Sequence, residues 1–207
     1  MELQKPLHLS SHNLFFCSDL HFGHKNILRY TDRHIRYGEP LEGLVKENMD
    51  HWKSVVARMD EDIVSQWNSV VTPDSTVILL GDNGFLSKGR LTDYLERLNG
   101  EIHLVVGNHD EHLPDRFASV TYYLEAMVDG QGIVFSHYPF YRWAGCSKGS
   151  WHLHGHEHGN IRTHEHSKTY KIMDVGIDCH PEFRPFSMSE VRSVMNNRVN
   201  PGHHNES

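Results

Sequence analysis

The sequence predicts an α/β protein in which mixed β-sheets pack as a sandwich flanked by helices, in an α/β/β/α arrangement. Two observations favour this fold class. Short apolar runs typical of strands recur along the chain, and each is followed by Gly, Asp, Asn or His. Helical patterns fill the early intervals between these runs, whereas the second half is richer in strands. Such a succession is typical of sheets covered by helices.

Five of the apolar runs have the length and composition of a buried strand. Each is short and rich in β-branched, leucine or aromatic residues, which favours a strand over a helix. These runs span residues 13–18, 76–80, 102–106, 132–136 and 151–154.

Three segments show helical patterns. Apolar residues recur at mostly three- and four-residue intervals over 44–71, which predicts one long or two consecutive amphipathic helices. A second helix is predicted over 91–98, because Asn99-Gly100 is a good C-terminal signal. Ser187 and Glu190 have the spacing of a capping box and predict the start of a last helix.

Length and composition restrict the class of protein. With 207 residues, 38% hydrophobic and 23% charged, the chain fits one soluble domain over residues 1–207, with a polar tail from about 197 that we expect to be frayed. The formal net charge of −7 disfavours nucleic acid as a partner. The apolar cluster at 14–16 is too short for a signal peptide or membrane span, so we expect a cytoplasmic protein without membrane contact. The oligomeric state stays open, and a homo-oligomer is compatible with the sequence.

The three cysteines, Cys17, Cys146 and Cys179, are an odd number and lack CxxC spacing. This pattern indicates free thiols in a reducing compartment. No neighbouring motif supplies a base to activate a sulfur nucleophile, so we expect no catalytic thiol.

Polar motifs follow the five predicted strands, in a chain that contains 19 histidines. Strand ends are rigid, and the loops that leave them converge at one edge of a sheet. Each motif alone also has a structural interpretation, such as a turn at Gly81-Asp82 or a histidine bonded to backbone at His137. Together they predict a metal site. The motifs are Asp19-Leu20-His21, Gly81-Asp82, Gly107-Asn108-His109-Asp110, His137 and Gly155-His156-Glu157-His158.

In type and order, these motifs resemble those of the calcineurin-like metallophosphoesterases, and the resemblance spans residues 19–158. It is greatest to small single-domain phosphoesterases of bacterial or phage type. The resemblance implies a hydrolase in which a hydroxide between two divalent metal ions attacks a phosphomonoester or phosphodiester. Asp19, His21 and His158 would hold the first metal, Asn108, His137 and His156 the second, and Asp82 would bridge both through its two carboxylate oxygens.

The remaining roles follow from this resemblance and from ligand chemistry. Oxygen and nitrogen ligands without a thiolate suit Mn²⁺, our first choice, and also Fe, Ni²⁺ or Zn²⁺. Asp82 and His109 would be the catalytic residues, with His109 donating a proton to the leaving group. Asp110 would either orient His109 or cap the following turn.

Three residues are candidates for substrate binding: His24, Asn108 and Arg142. His24 could instead cap the helix that begins beside it, and the Arg142-Trp143 pair, suited to phosphate and stacking, could be a solvated surface loop. His152 and His154 precede the last motif, and for them we expect packing or supporting roles.

Phe85 stands where phosphoprotein phosphatases of this superfamily carry an aspartate. This difference favours a small phosphoester or nucleotide as substrate. A nuclease of the same superfamily is the main alternative, and a phosphoprotein phosphatase or a non-catalytic metal-binding scaffold is a weaker one. A scaffold is disfavoured because every ligand type of the pattern is present.

Overall fold

The structure, a computed structural model, describes residues 6–40, 49–111 and 113–200. Within these ranges the strands are β1 (Leu7–Leu9), β2 (Leu14–Cys17), β3 (Thr76–Leu79), β4 (Glu101–Val105), β5 (Ser119–Thr121), β6 (Leu124–Val128), β7 (Gln131–Phe135), β8 (Trp151–His154), β9 (Ile172–Asp174) and β10 (Phe186–Ser187). The helices are α1 (Ile27–Tyr30), α2 (Arg33–Arg36), α3 (Met49–Asn68), α4 (Lys88–Leu95), α5 (Glu165–Thr169) and α6 (Met188–Asn196).

The strands form two five-stranded mixed sheets. The first has the order β10-β2-β3-β4-β5, in which β2 to β5 are parallel and β10 pairs antiparallel with β2. The second has the order β1-β6-β7-β8-β9, in which β7, β8 and β9 are parallel and β6 and β7 form a hairpin. Parallel strands place their carboxyl ends at the same edge of a sheet.

The main core lies between the two sheets. Alternate residues of β3 separate to opposite faces, with Ile78 in the core between the sheets and Val77 in the core against the helices. Phe16 of the first sheet stacks on Phe135 of the second, with ring centroids 5.7 Å apart. Side chains of α6, including Val191 and Met195, complete this apolar layer. The alternation of a pleated strand therefore gives each sheet two buried faces.

Helices cover the other face of the first sheet. Trp52, Met59 and Trp67 of α3 are buried there together with Leu91 and Leu95 of α4. The three- and four-residue spacing of the apolar positions in α3 gives it one stripe that faces the sheet. This packing accounts for the helical layer on the first sheet.

The outer face of the second sheet is covered by the loop after β7 and by α5. Trp143 and Cys146 of this loop are buried against Val134. His166 of α5 contacts Trp143 edge-on, with ring centroids 6.5 Å apart. Trp143 is only 6% exposed and donates its indole N–H to the Ser150 carbonyl, so it fits neither the substrate-facing nor the solvated-loop interpretation of the Arg142-Trp143 pair.

The predicted α/β class and the two mixed sheets flanked by helices are confirmed. All five predicted strands are present, as β2, β3, β4, β7 and β8. The capping box of α6 is also confirmed: Ser187 Oγ accepts from the Glu190 N–H, and the Glu190 carboxylate accepts from the Ser187 N–H.

Several boundaries differ from the predictions. Helix α3 ends at Asn68, and residues 44–48 of the predicted helix lie outside the described residues. Helix α4 begins three residues earlier than predicted and ends at Leu95. The start of the tail predicted to fray from 197 is held at Val199, whose N–H donates to the Thr169 carbonyl, and residues 201–207 of this tail lie outside the described residues. No helix in the described parts of the chain is long and apolar enough to span a membrane.

Candidate functional site

The side chains predicted as metal ligands meet at the carboxyl edge of both sheets. Asp19 and His21 follow β2, Asp82 follows β3, Asn108 follows β4, His137 follows β7, and His156 and His158 follow β8. Among the described residues, two groups bring their ligand atoms within 4.8 Å of one another. The first cluster consists of Asp19, His21 and His158, and the second consists of Asp82, His137 and His156.

Five of the predicted ligands have a left-handed backbone conformation, which directs their side chains into the site. The φ angles are 59° at Asp19, 54° at His21, 55° at Asp82, 70° at His156 and 47° at His158. Residues with a side chain rarely adopt this conformation, and it costs about 1–2 kcal/mol per residue. Each loop therefore bends sharply directly after its strand, which leaves the ligand side chain at the sheet edge.

Two glycines of the motifs allow the loops to approach one another. A Cβ atom on Gly107 would overlap the Asp82 carboxylate, and one on Gly155 would lie 2.6 Å from Asp19 Oδ2. Any larger residue would push these loops apart. The glycines in the third and fifth motifs thus make room for the two carboxylates.

Asp82 lies between the two clusters. Its Oδ2 atom is 3.7 Å from His21 Nε2 and 3.5 Å from His137 Nε2. Its Oδ1 atom accepts a hydrogen bond of 2.9 Å from the His109 N–H, so Oδ2 is the oxygen that lies near a histidine nitrogen of each cluster. Burial acts to raise the pKa of Asp82, but the His137 imidazole and the His109 N–H hold it below its usual value.

Two members of the first cluster are buried, and one of them carries an unpaired polar atom. Asp19 is 0% and His21 2% exposed, and His21 Nε2 has no hydrogen-bond partner although it is buried. Burial and the nearby charge of Arg33 lower the pKa of His21 well below its usual value, so its ring is neutral and can donate a lone pair. Burial raises the pKa of Asp19 to about 7, a cost that a bound cation would offset.

A carboxylate that the sequence analysis did not single out holds His158 in place. Asp178, in the turn that follows β9, accepts a 2.7 Å hydrogen bond from His158 Nδ1, which leaves the Nε2 lone pair available. Arg33 of α2 binds both oxygens of Asp178, at 2.7 and 2.8 Å. The guanidinium also donates to the main-chain carbonyls of Asp19 and Leu20.

This network fixes the charge state of its members. Burial acts to raise the pKa of Asp178, but Arg33 and His158 hold it well below its usual value. A sequence signal for Asp178 existed, because Gly176-Ile177-Asp178 follows an apolar run in the same way as the other motifs. Arg33 carries no comparable signal, since its partners are distant in sequence.

The second cluster depends on the main chain instead. His137 Nδ1 lies 2.6 Å from the Leu80 carbonyl, to which it donates, and His137 Nε2 lies 3.0 Å from the side-chain oxygen of Asn108. Burial acts to lower the pKa of His137, but the carboxylates of Asp82 and Asp19 raise it to about 9. Asp82 and His137 are each 2% exposed, whereas His156 is partly exposed and the neighbouring Asn108 is exposed.

Asp110 plays neither of the two roles considered for it. Its carboxylate accepts hydrogen bonds from the N–H groups of Gly107, Asp82 and Asn83, at 2.8 to 3.0 Å. It therefore ties the loop after β4 to the loop after β3 and does not reach the His109 ring. The motif spacing could not distinguish this link between loops from a local cap.

His109 is exposed beside the clusters, and Phe85 is its main ring neighbour. The two ring centroids are 4.6 Å apart, and Phe85 also stacks on His24 at 3.8 Å. His24 Nδ1 lies 3.3 Å from His21 Nδ1. His24 does not cap a helix, because Asn26 occupies the N-cap position of α1 and makes no side-chain cap bond. His24 thus belongs to the surroundings of the first cluster.

The other candidates lie apart from the clusters or have structural partners. Arg142 is exposed, and its charge contributes to lowering the pKa of His166, a residue of neither cluster. His152 accepts from the Phe140 N–H and donates to the Val134 carbonyl, which is a packing role. His154 is buried and donates to the Gly155 carbonyl.

The thiols do not enter the site chemistry. No disulfide joins Cys17, Cys146 or Cys179 in the described chain. Burial raises the pKa of both Cys17 and Cys179, which disfavours the reactive thiolate form. The prediction of non-catalytic cysteines is consistent with these surroundings.

The residues present suit divalent metal ions. The donor atoms are carboxylate oxygens, an amide oxygen and imidazole nitrogens, a set typical of Mn²⁺, Fe, Ni²⁺ or Zn²⁺. Three histidines of the clusters are prepared for this role, since His137 and His158 hold their Nδ1 protons on acceptors and His21 Nε2 is unpaired. The arrangement therefore offers two groups of side chains, each of which could hold a metal ion.

Comparison with known proteins supports the fold and the family. No protein-family model matches the sequence. Gene 66 protein of Mycobacterium phage D29 is 26% identical over 218 residues, covering 89% of this chain and 96% of the phage protein. The crystal structure of a protein of unknown function from Aquifex aeolicus has a TM-score of 0.61 at 21% identity, covering 88% of this chain and 98% of that one, and so has the same fold.

Fold and site together define an α/β protein with two carboxylate–histidine clusters at the shared edge of its sheets. An uncharacterized protein of Methanocaldococcus jannaschii is 30% identical to this chain over 155 residues, which is 73% of either protein. The chain belongs to the same family as this archaeal protein.

Proposed function

We propose that this chain is a dinuclear-metal-dependent phosphoester hydrolase of the calcineurin-like metallophosphoesterase type. The observation that carries the proposal is the position of Asp82 Oδ2, which lies within 3.7 Å of a histidine nitrogen from each cluster. A carboxylate shared by two groups of nitrogen and oxygen ligands is typical of two-metal hydrolases. The five motifs in the order of that superfamily support the same conclusion.

Each predicted ligand has a place in this proposal. Asp19, His21 and His158 would hold a first divalent ion, Asn108, His137 and His156 a second, and Asp82 would contribute to both positions. Such a pair of ions, when bound, would supply a nucleophile at neutral pH and neutralise charge on a phosphate group. Asn108 contributes a neutral oxygen, so the site keeps a net positive charge for an anionic substrate.

His109 is the proposed proton donor to the leaving group. Its main-chain N–H is fixed on Asp82 Oδ1, while its ring is exposed at the edge of the clusters. This placement lets the imidazole reach a substrate without taking a ligand position. Protonation of the departing oxygen by such a group lowers the barrier most when that oxygen is strongly basic.

The proposed substrate is a small phosphoester or a nucleotide. Phe85 lies against His109 where the phosphoprotein phosphatases carry an aspartate, so His109 has no carboxylate of that kind beside it. The net charge of −7 disfavours a long nucleic-acid strand. Mn²⁺ is the preferred metal for reconstitution.

Hydrolysis assays test the proposal directly. The purified chain, stripped with EDTA and then supplied with Mn²⁺, is assayed on bis-p-nitrophenyl phosphate, p-nitrophenyl phosphate and a single-stranded oligonucleotide. We expect hydrolysis of at least one p-nitrophenyl ester that EDTA abolishes and Mn²⁺ restores. Cleavage of the oligonucleotide alone would favour a nuclease, and no hydrolysis with both metal positions filled would refute the proposal.

A further inference from the structure

A cavity of about 440 Å³ opens beside the first cluster. His158 is the one member of the two clusters in its wall, and Asp178, which accepts from His158 Nδ1, lines it as well, so the cavity borders the first cluster through His158. Its volume falls within the usual range of roughly 300–1,000 Å³ for small-molecule sites. The cavity and the first cluster therefore share the side chain of His158.

The cavity is rich in arginine. Four arginines and two aspartates line it, in a chain whose formal net charge is negative. Arg33 is matched by Asp178, and Arg36 is paired with Asp62, which lies outside the lining. Arg162 contributes a further positive charge to the lining, and Asp32 a negative one.

Arg162 is the residue best placed to receive an anion. Its side chain is exposed, and no hydrogen bond or ion pair ties its guanidinium to another residue in the described ranges. Its Nη1 atom lies 3.4 Å from the position that a Cβ on Gly159 would occupy, directly after His158 in the chain. A guanidinium in this position presents its donors beside the first cluster and suits a phosphate group.

We propose that this cavity is a second-phosphate subsite, so that the preferred substrate carries one phosphate that is cleaved and another that Arg162 binds. This proposal rests on the proposed function for the cleaved phosphate only. The second phosphate belongs either to a small bisphosphate or to the adjacent nucleotide of a nucleic-acid strand. The chemistry recognised at Arg162 is the same in both cases.

Binding to the metal-free chain tests the subsite without reference to hydrolysis. Adenosine 3′,5′-bisphosphate and a ten-residue oligothymidylate are titrated in EDTA at physiological salt, where the Debye length is about 8 Å. Arg162→Met should weaken binding of at least one probe by about tenfold, in line with a charge-assisted hydrogen bond. The probe that loses affinity identifies the source of the phosphate, and Arg162→Lys should restore part of the loss.

Arg192→Met is the matched control, because Arg192 is an exposed arginine of α6 that does not line this cavity. It should change the affinity less than twofold. Unchanged affinity of both probes in Arg162→Met, or an equal loss in Arg192→Met, would overturn the subsite. If hydrolysis fails for every substrate while Arg162→Met still weakens binding, the proposed function is wrong and the subsite remains.

With Mn²⁺ present, kinetics add a second measurement. The ratio of kcat/KM for the bisphosphate to that for p-nitrophenyl phosphate should fall about tenfold in Arg162→Met. An unchanged ratio would contradict the subsite even if both substrates are hydrolysed.

Discussion

The two clusters present the same donor atom, histidine Nε2, by different means. In the first, His158 is oriented by Asp178, which is held in turn by the buried Arg33. In the second, His137 is oriented by the main-chain carbonyl of Leu80. The first cluster thus depends on a chain of charged side chains, whereas the second depends on the fold of a neighbouring strand.

In exposure the two clusters are alike, because each has two buried members and one that is partly exposed, His158 in the first and His156 in the second. The exposed Asn108 lies beside the second cluster only.

Asp82→Asn should have the largest effect, because it alone breaks both clusters. Loss of the shared carboxylate charge should lower metal occupancy at both positions and reduce hydrolysis by orders of magnitude. Elemental analysis after desalting measures the occupancy. Asp129→Asn, at an exposed turn, is the control and should retain two ions. Full occupancy in Asp82→Asn would contradict the bridge. By contrast, His158→Ala should empty mainly the first position.

His109→Ala should leave both clusters filled and reduce turnover. General acid catalysis contributes about 10²–10⁴-fold, so alkyl and nucleoside esters should lose roughly that factor. Esters of p-nitrophenol should lose far less, because p-nitrophenolate departs without a proton. Rates on both substrate types, with metal content, provide the measurement, and equal losses would assign His109 to binding of the phosphoryl group.

Asp178→Asn tests the difference between the clusters themselves. It should weaken metal binding at the first position by about 10–100-fold and leave the second unchanged. A two-site competition titration of Mn²⁺ with a chromogenic chelator measures both affinities. Asp62→Asn is the matched control, since Asp62 also accepts from an arginine, Arg36, but contacts no ligand. Equal weakening at both positions would show that the clusters are not independently supported.

Asp60→Asn should have the smallest effect, on pH-dependent stability. Asp60 is 1% exposed and accepts from the Gly23 N–H in the loop that follows His21. Burial raises its pKa from 3.8 to about 7. Its contribution to stability is thus fully present below pH 3.8 and is lost as the pH rises through about 7, at about 1.4 kcal/mol per pKa unit.

The Asn variant keeps a hydrogen-bond acceptor but cannot ionise. Its free energy of unfolding should therefore fall less than that of the wild type between pH 5 and pH 8. Urea denaturation at the two pH values measures this difference. Parallel pH dependences of the two proteins would show that Asp60 does not titrate in this range.

The sequence predicted the parts of this molecule that repeat a local pattern. Strand β3 and the loop at Asp82 follow from an apolar run that ends in Gly-Asp. The short edge strands β1, β5 and β10 have two or three residues and too little periodicity to be recognised. Their pairing is decided by neighbours distant in sequence.

Within the site, the candidate ligands could be predicted from the sequence. The residues that hold those ligands in position could not. The link between Asp110 and the loop at Asp82 crosses 28 positions, and that between Arg33 and Asp178 crosses 145. Neither spacing has a local signature. Burial of Trp143 was missed for the same reason, because an aromatic residue in a polar loop resembles a surface residue until the fold supplies a partner.

The left-handed backbone at five ligand positions bears on how such a chain can change over evolutionary time. Glycine adopts this conformation without strain, so replacing any of these ligands by glycine would remove the side chain and relieve about 1–2 kcal/mol. A lineage in which the clusters have no function could therefore gain stability by replacing these residues with glycine one at a time. All five positions carry a side chain in this protein. This indicates that these residues are retained for their function and not for stability.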